Sequence, residues 1–159
     1  MKIDLHTHSY YSNDGVSSPE KLIKTALKKG LDGIALTDHD TTKGWKEAIE
    51  AAKKLNAVLI LGEEIKTKRN GKIIGDILGL FLKNEIKSKE PFQVIKEIHS
   101  QNGIAIIAHP FHLLENFKDD LEKYRDLIDG IEVFNARLPF SFKDKKAFEF
   151  AKKYNLAMI

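Results

Sequence analysis

The chain contains no cysteine. Disulfides are therefore excluded, and so are thiolate metal ligands, which leaves His, Asp and Glu for any metal site. No apolar run approaches the ~20 residues that a membrane-crossing helix requires. The opening Met1-Lys2-Ile3-Asp4-Leu5-His6 is broken by charge and histidine at once, so it is not a secretory signal. A cytoplasmic protein with no membrane partner is the expectation. A large charge of one sign is also missing. The net charge is +3, carried by lysines spread along the chain, which reads as a solvated surface rather than a nucleic-acid patch. There is no internal repeat, low-complexity segment or linker, and 159 residues make one domain able to bury a sizeable core.

What is present is an alternation of short apolar runs with amphipathic stretches. Strands are expected over 2–8, 33–37, 57–61, 73–82, 104–108, 130–134 and 156–159. Helices are expected over 17–29, 44–56, 91–102, 121–128 and 143–154. Pro19 and Pro91 suit first helical turns, and Gly30 and Gly103 supply stops. Asn70-Gly71 is a strong hairpin signal inside a polar turn, 66–72. Strand alternating with helix implies a parallel α/β architecture. An open doubly wound sheet and a closed barrel give the same pattern, and periodicity does not separate them.

Chemistry-bearing residues gather where the apolar strands end, which is where parallel α/β folds place their sites. His6 and His8 lie two apart in a strand, so both imidazoles face one side and can converge on one ion. Asp38-His39-Asp40 follows the second strand, with His39 read as a ligand, Asp38 as its supporting partner and Asp40 as a possible helix cap. Gly62-Glu63-Glu64 follows the third and presents one carboxylate inward and one outward. Asp76 stands inside the apolar run Ile74–Ile77, an expensive place for an acid unless it is paired or on a metal, or on an edge strand facing water. His109 follows Ile104-Ala105-Ile106-Ile107. Ligands of this kind, without thiolate, suit Zn²⁺, Mn²⁺ or Fe²⁺ bridged by a carboxylate. Such a cluster makes hydroxide at neutral pH and clamps the oxygens of a phosphate.

Taken in order, Asp4-Leu-His-Thr-His-Ser9, Asp14-Gly15, Leu36-Thr-Asp-His39, Gly62-Glu-Glu64, Ile77-Leu-Gly79, Ala108-His-Pro110 and Glu132-Val-Phe-Asn135 resemble the motifs of the polymerase-and-histidinol-phosphatase (PHP) family across the chain. The resemblance implies a distorted (β/α)7 barrel with up to three divalent ions at the strand ends, and it resolves the ambiguity left by periodicity. It implies a metal-dependent phosphoesterase acting on a small phosphorylated substrate, in the range of a nucleotide or a short nucleic-acid end. His6 and His8 then resemble ligands of a first ion, Glu64 a carboxylate bridging the first and second, His109 a ligand of the second, and Asp14 and His39 ligands of a third. Asp38, His39 and Glu64 are the expected catalytic residues. Asp76 stands where many members carry His, a harder donor than imidazole.

Members also carry a Gly-Ser-Asp-Ala-His-like motif after the last strand, and this sequence reaches Ile159 where that motif should begin. The barrel is thus expected to be incomplete at the C-terminus. Either the natural polypeptide continues past Ile159 with a Ser-Asp-x-His-like segment, or the shorter form holds fewer ions and catalyses poorly. The stretch between Glu64 and His109 is too short for the extra domain of members that hydrolyse nucleoside bisphosphates or short RNA ends. Asn135 and Arg137 are the expected substrate contacts, Arg137 through a bidentate guanidinium–phosphate pair. His112 is read as a loop residue beside the site, His99 as a surface or packing histidine, and Trp45 as core. The competing functions are a catalytically inactive PHP-type structural or interaction module, and another metal-dependent hydrolase acting on an amide or lactone.

Overall fold

The computed structural model describes residues 1–112, 116–136 and 145–159. Seven strands form one sheet in sequence order: β1 Ile3–Thr7, β2 Gly33–Leu36, β3 Val58–Arg69, β4 Lys72–Leu80, β5 Ile104–Ile107, β6 Gly130–Ile131 and β7 Ala157–Met158. The helices are α1 Pro19–Lys28, α2 Trp45–Leu55, α3 Pro91–Ser100 and α4 Lys145–Tyr154. The result is an α/β fold whose curled sheet has the strand order of a (β/α)7 barrel.

Local chemistry sets the boundaries. The Ser18 side chain accepts from the Lys21 amide and Pro19 opens α1, while Gly30 follows its end at φ 80°. Glu90 caps α3 in the same way by accepting from the Gln93 amide ahead of Pro91. Asn56 closes α2 in the left-handed conformation.

Three expectations are corrected. The sheet is not wholly parallel, because β4 runs antiparallel to both β3 and β5. The third strand does not stop at Leu61. It runs for 12 residues in all, Val58–Arg69, through Glu63 and Glu64, and turns at Asn70-Gly71 into β4. Both turn residues have positive φ, 51° and 76°, as a two-residue hairpin loop requires. Lastly, the helix expected over 121–128 shrinks to a single 3-10 turn, Leu121–Lys123, capped by the Asp120 side chain. Tyr124 leaves that turn to pack, fully buried, against Phe92 and Phe117, and these contacts override the local helical pattern.

The two faces of the sheet carry different cores. Ala35, Ile60, Leu78, Leu80, Ile106 and Ala108 form an inner plug, joined by Ile3, Leu5 and Ile159. Outside, α1 and α2 cover Ile34 and Leu59, whereas α3 and α4 cover Ile65, Ile77, Ile107 and Ile131. The inner plug is the floor beneath the site.

The register of β1 against β2 slips once. Asp4 pairs with Ile34, yet Thr7 pairs with Leu36, so β1 holds one extra residue between them. This β-bulge lets both Leu5 and His6 face inward, so that His6 and His8 rise from the same side as Ile3 and Leu5. No helix among the described residues is long and apolar enough to cross a membrane.

Candidate metal centre

The centre is built around Glu64, whose residue is 1% exposed. One of its oxygens, Oε2, lies 3.1 Å from His6 Nε2, 3.0 Å from His8 Nε2 and 3.2 Å from His39 Nδ1. The other, Oε1, lies 3.0 Å from His109 Nε2. His8 Nδ1 is 3.2 Å from Asp14 Oδ1, and His39 Nε2 is 3.7 Å from Asp14 Oδ2. Asp76 Oδ2 stands 4.0 Å from His109 Nε2. Three sets of donors therefore each gather within 4.8 Å: His6, His8 and Glu64; His8, Asp14 and His39; Glu64, Asp76 and His109.

A shell of supporting bonds fixes these groups. Glu132, 3% exposed, receives His6 Nδ1 at 2.9 Å, the His109 amide at 2.7 Å and Asn135 Nδ2 at 3.0 Å. Ser12 Oγ lies 3.3 Å from His8 Nδ1 and accepts the His39 amide at 2.6 Å. Asp38 accepts both the amide and the hydroxyl of Ser9, at 2.6 and 2.7 Å, and so pins the loop that follows His8. Trp45 donates Nε1 to the Gly62 carbonyl at 3.0 Å, anchoring β3 just ahead of Glu64.

The protonation preferences follow from these neighbours. Burial alone would lower the His6 imidazolium, but Glu64 and the bonds to Glu132 and Glu64 overcome it and push His6 up to about 10. Glu64 is the converse case: burial favours its neutral form, yet His6 and bonds from His109, His6 and His8 hold it well below the usual carboxylate range. His39 is lowered, chiefly by burial, with His8 and Lys66 reinforcing and Glu64 and Asp14 opposing. Next door, burial pushes Glu63 up to about 7, because it faces the outer core and the Ile86 amide is its main hydrogen-bond donor.

These residues fit divalent cations. With its Nδ1–H donated to Glu132, a neutral His6 turns a lone pair from Nε2 toward a lone pair of Glu64 Oε2. Two lone pairs at that separation repel, so the pair needs either a proton or a cation between them. The donors are imidazole and carboxylate only, a set that suits Zn²⁺, Mn²⁺ or Fe²⁺. Burying Glu64, Asp76 and Glu132 close together beside the half-buried Asp14 costs several kcal/mol per uncompensated ion, and cations offset that cost.

The structure brings His6, His8, Asp14, His39, Glu64, Asp76 and His109 to one cavity wall or its floor, and Asn135 lines the same cavity. Asp38 bonds Ser9 rather than the ring of His39. Arg137 lies outside the described residues. His99 bonds Asp129 on the surface, 2.8 Å away. Sequence reasoning gave no role to Ser12 or Lys66 and treated Glu132 only as part of a motif. The signal for Glu132 was available, since it is an acid within Ile131–Phe134, the same anomaly that singled out Asp76.

Fold and site together define an α/β protein with three candidate His/carboxylate metal-ligand groups at its strand ends. The PHP domain model matches residues 4–159, and the chain belongs to the PHP family. It is 37% identical over 147 residues to an uncharacterized protein of Methanocaldococcus jannaschii, covering 86% of this chain and 82% of that one. It is 42% identical over 106 residues to a 5'-3' exoribonuclease of Haemophilus influenzae, covering 66% of this chain but 38% of that one. Among solved structures it is similar to a two-domain chain of Bacteroides vulgatus described as containing a predicted PHP-like metal-dependent phosphoesterase, with TM-score 0.82 and 27% identity. That match covers 99% of this chain and 50% of the other.

Proposed function

We propose that this chain hydrolyses a phosphate ester, using Zn, Mn or Fe ions held by His6, His8, Asp14, His39, Glu64, Asp76 and His109. The carrying observation is the convergence of imidazole nitrogens from His6, His8, His39 and His109 on the one buried carboxylate of Glu64. Ions bound there would supply a hydroxide at neutral pH and Lewis-acid stabilisation of phosphate oxygens. The protein's own part is to hold the donors rigid. Glu132 fixes the ring of His6, Ser12 supports His8 and His39, and Asp38 secures the loop after His8. Asn135, which lines the cavity, would contact substrate, and Arg137, which lies outside the described residues, is proposed as a second contact. A cavity of about 470 Å³ opens over the centre, which suits a small phosphorylated molecule, a nucleotide or a short nucleic-acid end. The exoribonuclease relative is in keeping with that range.

The test is elemental analysis of the purified protein, then chelation, then Mn²⁺ or Zn²⁺ add-back, with phosphate release followed on a panel of mono- and diesters. Chelation is expected to abolish turnover and add-back to restore it. Undiminished turnover by protein shown to be metal-free overturns the metal dependence. No hydrolysis of any ester by metal-replete protein favours a structural module instead.

A further inference from the structure

The cavity over the centre is lined by acids, imidazoles and amides, with one cationic side chain, Lys66, among its described lining residues. Lys66 belongs to β3, two residues beyond Glu64, and so shares its inward face. Its backbone is held on both sides: the amide donates to Asp40 Oδ1 at 3.1 Å, and the residue pairs directly with Asp76 of β4. Both neighbouring carboxylates are engaged elsewhere. Asp40 carries an ion pair with Lys89 at 2.5 Å, and Asp76 belongs to the donor set with Glu64 and His109. Among the described residues the Lys66 ammonium makes no ion pair or hydrogen bond, although it is half-buried. It still stands close enough to His39 to disfavour the charged imidazole. A lysine beside so many carboxylates ordinarily pairs with one of them. This one projects into the cavity from a rigid strand.

We infer that Lys66 is a substrate-binding residue, whose ammonium takes a non-bridging oxygen of a phosphoryl group seated against the metal centre. Deepening the phosphoesterase reading and resting on it, this inference names the group that distinguishes an anionic ester from a neutral amide or lactone. Lysine suits the task because it acts as a compact point charge with rotatable donors and needs no planar partner. Its charge also offsets the repulsion that Asp14, Asp40 and Glu64 exert on an entering anion.

The test measures equilibrium binding of inorganic phosphate to Mn²⁺-loaded protein by calorimetry, which requires no turnover. Lys66→Met is expected to weaken phosphate about ten- to a hundredfold, the loss of one charge-assisted hydrogen bond, with bound metal unchanged. Lys66→Arg is expected to stay within about threefold of the original, because the positive charge is kept. Binding should also weaken as salt rises. Unchanged phosphate affinity in Lys66→Met with metal retained overturns the assignment. So does an equal loss in Lys66→Arg and Lys66→Met accompanied by falling metal content, which marks a purely structural lysine. Failure of the hydrolysis reading has a different signature, no ester turnover in the loaded wild-type protein while phosphate still binds through Lys66.

Discussion

Two polar clusters sit at opposite ends of the β3 hairpin arm, and they are built on opposite logic. At the tip, Arg69 donates to Glu90, Asp119 and the Tyr124 hydroxyl, and Lys123 reaches Asp119 as well. Cations and anions balance there, every strong donor meets an acceptor, and Phe92 lies under the guanidinium, 5.6 Å from Arg69 Cζ to the ring centroid. Burial pushes the Asp119 carboxyl up, but bonds from Tyr124, Lys123 and Arg69 hold it below its ordinary value. At the inner end, Glu64 gathers imidazoles beside Asp14, Asp76 and Glu132, and among the described residues lining the cavity Lys66 is the one lysine or arginine. A cluster complete in itself is a fastener. A cluster short of positive charge is a binding site, and the difference can be tested by cutting each.

The largest effect is expected from Glu64→Gln. Removing the charge on which four imidazoles converge should strip bound metal and lower turnover by more than about a hundredfold, as read by elemental analysis and kinetics. Glu132→Gln comes next, with metal affinity reduced about 10- to 100-fold, because the His6 ring loses its ionic orienting partner. The same variant has a pH signature. In metal-free protein His6 is raised from 6.5 to about 10. Its proton-linked stabilisation is then full below pH 6.5 and drains away as pH climbs toward 10. Metal displaces that proton, so affinity should rise across the same window. In Glu132→Gln both slopes should flatten, as measured by thermal melts and metal titrations at pH 6 and 9.

Cutting the other cluster should leave the metal alone. Arg69→Met is expected to destabilise the fold by about 1–3 kcal/mol, the usual cost of leaving partly buried acceptors unpaired, seen as a lower denaturant midpoint with unchanged metal content. Loss of metal in this variant would erase the distinction between the clusters. The smallest effect belongs to Glu63→Gln. Its carboxyl is raised from 4.5 to about 7, so ionising it inside the fold costs stability as pH rises through that interval. The amide should therefore melt no lower than wild type at pH 8, with metal and turnover retained.

Much of this was legible in the sequence, for identifiable reasons. Ligand positions could be read because an acid or histidine closing an apolar strand is an anomaly that hydrophobicity alone exposes. The antiparallel course of β4 was partly visible in Asn70-Gly71, which demands a hairpin, yet the short apolar run before Gly62 suggested a strand that ended too soon. Three features escaped because they depend on tertiary context. The segment at Leu121–Lys123 has a helical pattern, but the pull of Tyr124 into the core breaks it. Glu132 needed the convergence of β1 and β5 beside it before its role could be seen. Lys66 looked like one more surface lysine until the engagements of Asp40 and Asp76 were known.

The extra residue in β1 has its own consequence. Ile3 and Leu5 set the phase of the inner plug on odd numbers, while His6 and His8 keep the metal on even ones. Strict alternation would satisfy one set or the other, never both. The bulge is the point at which the strand changes phase, so packing below and coordination above follow separate frames between Ile3 and His8. Pairing β1 with β2 in strict alternation from Asp4 onward, with every residue kept, would turn both histidines toward the helices without altering any ligand. The site is thus encoded in the strand's register as firmly as in its chemistry.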